Sequence, residues 1–158
     1  MEWAFTAPYL LAERLGQDPL DAGAIAAADP DEFAAAFASR PALHRFPGSM
    51  AKRVQALCRY LVDAYDGDAS ALWSTAGDGA ELVRRLKALP GFGEQKAKIF
   101  AALLGKQLGV RPPGWQEAAA PYGDDGVHRS VADVTGPDTL ALVRDYKRSV
   151  KAAAKKSG

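Results

Sequence analysis

Leu89-Pro90-Gly91-Phe92-Gly93 is the stretch that decides the fold, because each of its residues has a separate mechanical task. Leu89 anchors the stretch in the core, and Pro90 stops the helix that precedes it. Gly91 and Gly93 allow backbone geometries that are closed to other residues, and Phe92 packs between the flanking helices. The stretch therefore predicts a hairpin over residues 89–93, between one helix that ends near Ala88 and another that begins after it.

The helix after this hairpin should present its unpaired N–H groups and the positive end of its dipole outward. A phosphate group is the anion that such a helix start commonly binds, and Lys96 and Lys98 lie close enough in sequence to reinforce the contact. Two other interpretations stay open. The hairpin can be a turn without a ligand, or it can serve in protein contact or dimerisation.

Elsewhere the apolar residues recur at helical spacing, which predicts an all-α fold. We expect a helix over residues 2–15 with Phe5, Tyr9 and Leu10 inward, and two short helices that begin at Asp18-Pro19 and Asp29-Pro30.

The second half of the chain continues this pattern. From Ser49 to Tyr65 apolar residues recur on one face of a predicted helix. A later helix is expected to bury five residues in the core. Trp73 is expected to fill the core, residues 115–120 to form a short helix, and a basic helix to start near Pro137. The expected inward set is Ala97, Phe100, Ala101, Leu104 and Leu108.

Composition restricts the class of protein. The 158 residues are 48% hydrophobic and 25% charged, which is typical of a globular chain, and the net charge of +1 does not by itself point to nucleic acid. Cys58 is the single cysteine, so an internal disulfide and an iron-sulfur cluster are excluded, and we expect a packed core thiol. No transmembrane segment or secretory signal is expected, which predicts a cytoplasmic protein.

The hairpin resembles that of the helix-hairpin-helix superfamily of DNA glycosylases, which includes endonuclease III and the adenine and alkyladenine glycosylases. The order of helices from Trp3 to Leu108, and the stretch Phe46-Pro47-Gly48-Ser49-Met50-Ala51-Lys52-Arg53, are similar to that family's six-helix barrel. Residues 89–110 also look similar to an actinobacterial-type HhH-GPD subgroup of base-excision repair proteins. The abrupt start at Met1 suggests that a helix of the family fold is missing at the N-terminus.

The resemblance implies a helical domain over residues 1–110, with residues 111–158 as an extension packed on it. It also implies a monomeric, nucleoid-associated protein that binds double-stranded DNA, with no metal held by side chains. The hairpin backbone can hold a monovalent cation, as in DNA-bound members. The DNA contacts are expected at Pro90, Gly91, Phe92, Gly93, Gln95, Lys96 and Lys98.

The expected activity is hydrolysis of the bond between a damaged or mispaired base and deoxyribose, without strand cleavage. Family members that cleave the strand carry a lysine where this chain has Gln95, and Lys96 points about 100° away around the helix. The family's catalytic aspartate is expected about 18 to 20 residues further on, at 113–115, where no acid stands.

Asp133 is the first substitute for that carboxylate, because it is set among apolar neighbours, and Glu117 is the second. Trp115, beside Pro113-Gly114, is the residue expected to line a pocket for a flipped base. Two alternatives to a DNA glycosylase remain open. One is a non-catalytic DNA-binding module, and the other is a glycosidase of nucleosides or modified nucleic acids. The sequence does not specify which base would be removed.

Overall fold

The structure is a computed structural model that describes the backbone of residues 2–156 and the side chains of residues 6–155. Within this range the secondary structure is helical and contains no strand, as predicted. The helices are α1 Glu2–Leu15, α2 Ala22–Ala27, α3 Pro30–Ala38, α4 Pro47–Tyr65, α5 Ala71–Ser74, α6 Gly79–Ala88, α7 Glu94–Gln107, α8 Trp115–Ala118 and α9 Pro137–Lys156, with a single 3₁₀ turn at Val131–Asp133.

Contacts divide the chain into two compact units. The first comprises Met1–Ala71 with Leu89–Gly91, and the second comprises Leu72–Ala88 with Phe92–Gly158. The predicted extension over residues 111–158 therefore lies in the same unit as α6 and α7. No described helix is long and apolar enough to cross a membrane.

The first unit is built on α4, against which α2 and α3 pack. The rings of Phe33 and Phe37 lie 5.2 Å apart in its core, and both are almost fully buried. Cys58 lies in the same cluster, and burial, followed by the negative charge of Asp21, raises the pKa of its thiol. The expectation of a packed core thiol is confirmed.

Two details of the first unit differ from the predictions. The side chain of Asp21, and not Asp18, accepts the capping hydrogen bond at the start of α2, so the helix begins after the Asp-Pro pair. Tyr9 is 78% exposed, whereas Leu11 is buried, because two residues along a helix turn the side chain by about 200° to the opposite face. Asp29 caps α3 as predicted, and the side chain of Phe5 lies outside the described residues.

The second unit is built on the pair α6 and α7, which pack against each other. Leu82, Val83 and Leu86 form the buried face of α6, and Ala97, Ala101 and Leu104 lie buried on α7, as predicted. Leu108 is 63% exposed because α7 ends at Gln107, and Leu72 is buried where Trp73 was expected. These two predictions are wrong, each at the end of a helix.

Trp115 of α8 lies directly against two glycines of the second unit. A methyl group on Gly105 would overlap the six-membered part of the Trp115 ring, and one on Gly79 would overlap the backbone of Gly114 and Trp115. The amide of Gly79 also donates to the carbonyl oxygen of Pro113 at 2.8 Å. The absence of two side chains therefore allows α6, α7 and α8 to approach at backbone distance.

Candidate nucleic-acid interface

The hairpin backbone needs a glycine at only one of its two glycine positions. Gly91 has φ +80°, in the left-handed region that favours glycine, as predicted. Gly93 has φ −86° and ψ 174°, which any residue adopts, so the prediction of a special geometry there is wrong. A Cβ atom at Gly93 would meet no heavy atom within 4 Å outside its own residue and its two chain neighbours. Neither the backbone nor the packing therefore explains a glycine at position 93.

Gly93 occupies the N-cap position of α7 and provides no side-chain cap. The amides of Glu94 and Gln95 belong to the first turn, where the helix itself supplies no acceptor. Gly93 places no side chain of its own at this helix start, so its position leaves these amides without a side-chain acceptor from the N-cap residue.

Phe92 attaches the hairpin to α7. Its ring meets the Phe100 ring edge-on, with centroids 5.9 Å apart, and the Lys96 ammonium lies 5.8 Å from the Phe92 centroid. The cation–π contact holds the exposed Lys96 near the hairpin. The predicted role of Phe92, packing at this helix, is confirmed on the α7 side.

Glu94 brings a negative charge to the start of α7, and it is not among the residues predicted for the site. Its carboxylate pairs with Lys98 at 3.2 Å and with Lys87 of α6 at 3.4 Å. The hydrogen bond with Lys98, and then the charge of Lys87, lower the pKa of Glu94, so the group is ionised at neutral pH. Two lysines near the hairpin are therefore partly neutralised. The i, i+4 spacing of Glu94 and Lys98 is visible in the sequence, but the Lys87 contact needs the fold.

Gln95 is the residue that the resemblance sets in place of a lysine nucleophile, and it lies in the first turn of α7. Its side-chain amide donates a hydrogen bond to the Tyr122 hydroxyl at 2.9 Å. A carboxamide is not a nucleophile that forms a Schiff base, and this hydrogen bond fixes its orientation beside the helix start. Tyr122 therefore orients the Gln95 side chain, through a contact between residues that lie 27 positions apart in the chain.

The Asp133 carboxylate forms its hydrogen bonds and its ion pair with residues of the second unit. One carboxylate oxygen accepts from the Lys106 ammonium at 2.6 Å, and the other accepts from the amides of Arg129 and Ser130 at 2.9 and 3.0 Å. The Asp133 side chain is 4% exposed. Both oxygens are therefore engaged in capping the 3₁₀ turn and in a buried ion pair, which is a structural role.

Glu117 and Trp115 have different surroundings. Glu117 is exposed on α8, and its carboxylate takes part in none of the hydrogen bonds or ion pairs described. The Trp115 ring packs on Gly105, and the Arg111 guanidinium lies 6.0 Å from it. The surface cavity described in this unit lies beside Ala80, Val83 and Ala118, and Trp115 is not in its lining. The Trp115 ring therefore packs on α7 at Gly105, and its expected role in lining a pocket for a flipped base stays a prediction.

A separate apolar cavity of about 340 Å³ lies in the first unit, lined among others by Leu11, Phe37 and Met50. His44 is at its edge, and the Nδ1 atom of this ring accepts from the amide of Phe46 at 3.0 Å. His44 is therefore a loop residue whose ring already has a hydrogen-bond partner.

Comparisons of the chain with protein-family models, with curated proteins and with solved structures gave no match. Among the described residues, no three histidine, cysteine or acidic side chains are placed to hold a metal ion.

Proposed function

We propose that this protein binds double-stranded DNA through the hairpin and the first turn of α7, as a helix-hairpin-helix protein of base-excision repair. The observation that carries the proposal is the open N-cap at Gly93, where neither backbone geometry nor packing calls for a glycine. A backbone phosphate can approach the amides of Glu94 and Gln95 through this space. Such a contact positions a duplex without reading its sequence.

The surrounding charges support this proposal. Lys96 is held beside Phe92, and Lys87 and Lys98 lie within reach of the same helix start, where each now pairs with Glu94. A phosphate can replace the Glu94 carboxylate as the partner of these lysines. The proposal includes a monovalent cation on the hairpin carbonyls, and a monomeric, nucleoid-associated protein in the cytoplasm.

Glu94→Gln is expected to strengthen binding to a duplex oligonucleotide about fourfold at low salt. The substitution removes one negative charge about 5 Å from the bound phosphate, a distance at which a unit charge is worth about 0.8 kcal/mol in water. It also releases Lys87 and Lys98 from their ion pairs. Fluorescence anisotropy with a labelled duplex measures the change, which should shrink as salt is added.

Glu81→Gln is the matched control for this variant. Glu81 also lies in a first turn, pairs with Arg84 and Arg85, and occupies the end of α6 away from the hairpin. The Glu81→Gln substitution changes the net charge of the chain by the same amount as Glu94→Gln. An equal gain in affinity from both variants would show that only net charge matters, and it would contradict a phosphate at the start of α7.

A second candidate function, DNA N-glycosylase activity without strand cleavage, is favoured by one observation. Glu117 is an exposed carboxylate in the same unit as α7, with no described side-chain partner, so it is available to activate water or to stabilise positive charge on a sugar. Gln95 stands at the position where strand-cleaving glycosylases of the resembled family carry a lysine. Its presence agrees with hydrolysis of the base–sugar bond without strand cleavage.

The glycosylase proposal predicts abasic sites in some member of a panel of lesion-bearing duplexes. Strand breaks should be seen only after heating in alkali, and borohydride should trap no protein–DNA adduct, because Gln95 forms no Schiff base. Glu117→Gln should abolish the product, whereas Asp125→Asn, at an exposed acid, should leave it unchanged. DNA binding without abasic product across the panel would leave a non-catalytic binding module.

A further inference from the structure

The last part of α9 extends beyond the core of its unit. Val143 is fully buried, and the helix contacts the 3₁₀ turn at Val131–Asp133. From residue 144 to residue 155 every residue is exposed. At 1.5 Å per residue this stretch is about 17 Å long. A helix that buries so little of its length is not explained by the core of the protein.

The cations of this stretch lie on one side of the helix. They are Arg144, Lys147, Arg148, Lys151 and Lys155. At 100° per residue these positions fall within an arc of about 100° around the helix axis, which places them along one face. We call these five residues the α9 basic face. Asp145 is the single acid between residues 144 and 155, and its ion pair with Arg148 is the one ion pair described on α9. The stretch therefore carries a net charge of +4, although the whole chain carries only +1.

We infer that the α9 basic face binds the sugar-phosphate backbone of duplex DNA, as a second contact besides the hairpin. This inference rests on the proposed function, because it assigns a further surface to the same ligand. About 17 Å of duplex presents about ten phosphate charges, and lysine or arginine side chains that neutralise them release condensed counterions. Exposed lysine and arginine side chains are long and flexible, so they can reach successive phosphate groups along a duplex.

The side of α9 opposite this face argues against a lipid surface. Its exposed large apolar side chains are Leu142, Tyr146 and Val150, and the positions between them on that side carry Thr139, Ser149 and Ala153. A helix that lies in a membrane interface needs a broader apolar face rich in large side chains. Charge, and not apolar area, is therefore the main property that α9 offers to a partner.

The test is a triple variant of the full chain, Lys147→Gln, Lys151→Gln and Lys155→Gln. Glutamine keeps the helix propensity, so circular dichroism should be unchanged. The probe is a labelled 20-base-pair duplex, measured between about 50 and 200 mM salt. We expect affinity to fall at least tenfold at about 100 mM, and the slope of log K against log salt to become less steep by up to about 2.7.

The matched control removes three cations from the exposed side of α4, by Lys52→Gln, Arg53→Gln and Arg59→Gln. This control should change affinity by less than a third of the α9 effect. An equal loss from both triple variants, or no loss from the α9 variant, would overturn the inference while the proposed function stands. Failure of the unmodified protein to bind the duplex at all would overturn both.

A vesicle measurement covers the remaining alternative. Vesicles of phosphatidylcholine with one third phosphatidylserine should not bind the unmodified protein at about 100 mM salt. Binding to these vesicles that the α9 triple variant abolishes, with duplex affinity unchanged, would assign the helix to anionic membranes and overturn the inference.

Discussion

Gly93→Asp is expected to weaken duplex binding by ten- to a hundredfold while the protein becomes no less stable. Aspartate is a favoured N-cap residue, and the site has open space for its side chain. The new carboxylate would accept the first-turn amides of α7 that we assign to a phosphate, and it would repel that phosphate. Loss of one charge-assisted hydrogen bond costs about 1.5–3 kcal/mol, which corresponds to this range of affinity.

Anisotropy titration together with thermal unfolding measures both halves of this expectation. Gly136→Asp is the control, because Gly136 precedes α9, accepts from the amide of Leu140, and also has open space where a Cβ atom would lie. It should lower affinity about twofold or less. A stable Gly93→Asp protein with unchanged affinity would remove the hairpin from the DNA contact.

Asp133→Asn is expected to lower the free energy of unfolding by about 3 kcal/mol, or to lower Tm by about 10 °C. Both carboxylate oxygens accept hydrogen bonds in the structure, from Lys106 on one side and from two backbone amides on the other. In asparagine an NH₂ group replaces one carboxylate oxygen. This NH₂ group would face either the Lys106 ammonium or the two backbone amides, which are also donors. The Lys106 ammonium, whose side chain is only 14% exposed, also loses its counter-charge.

Chemical denaturation of Asp133→Asn, Lys106→Met and the double variant gives the coupling between the two residues. We expect the double variant to be less destabilised than the sum of the single variants, because it leaves no buried charge unpaired. Asp125→Asn should change stability by less than about 0.5 kcal/mol. If Asp133→Asn were as stable as the unmodified chain and only lost glycosylase activity, Asp133 would be catalytic, as the sequence had first indicated.

The fold could be predicted where the sequence repeats a physical pattern over several turns. The apolar stripe of α4, the buried face of α6 and the cap at Asp29 follow from helical periodicity and capping chemistry alone. The predictions that were wrong lie at helix ends and single turns, at Leu108, Trp73 and Asp18. There one residue changes the direction of a side chain by about 100°, and tertiary packing decides which residue is buried.

The site was less predictable, because its contacts join residues far apart in the chain. The hairpin motif located Gly91 and Phe92 correctly, but the sequence could not distinguish a glycine required by backbone geometry from one such as Gly93, where only space is left open. Asp133 was noticed for its apolar neighbours. Its partner Lys106 lies 27 residues away, so its structural role needed the fold.

The contact of Trp115 with Gly105 and Gly79 has a consequence for how this protein can evolve. An alanine at position 105 would overlap the Trp115 ring unless that ring were first exchanged for a smaller side chain, and this exchange alone would leave a cavity. We therefore expect natural variants to change positions 105 and 115 in concert, and to keep Gly79, whose Cβ would overlap backbone atoms. Exposed positions such as Lys52 are expected to vary independently.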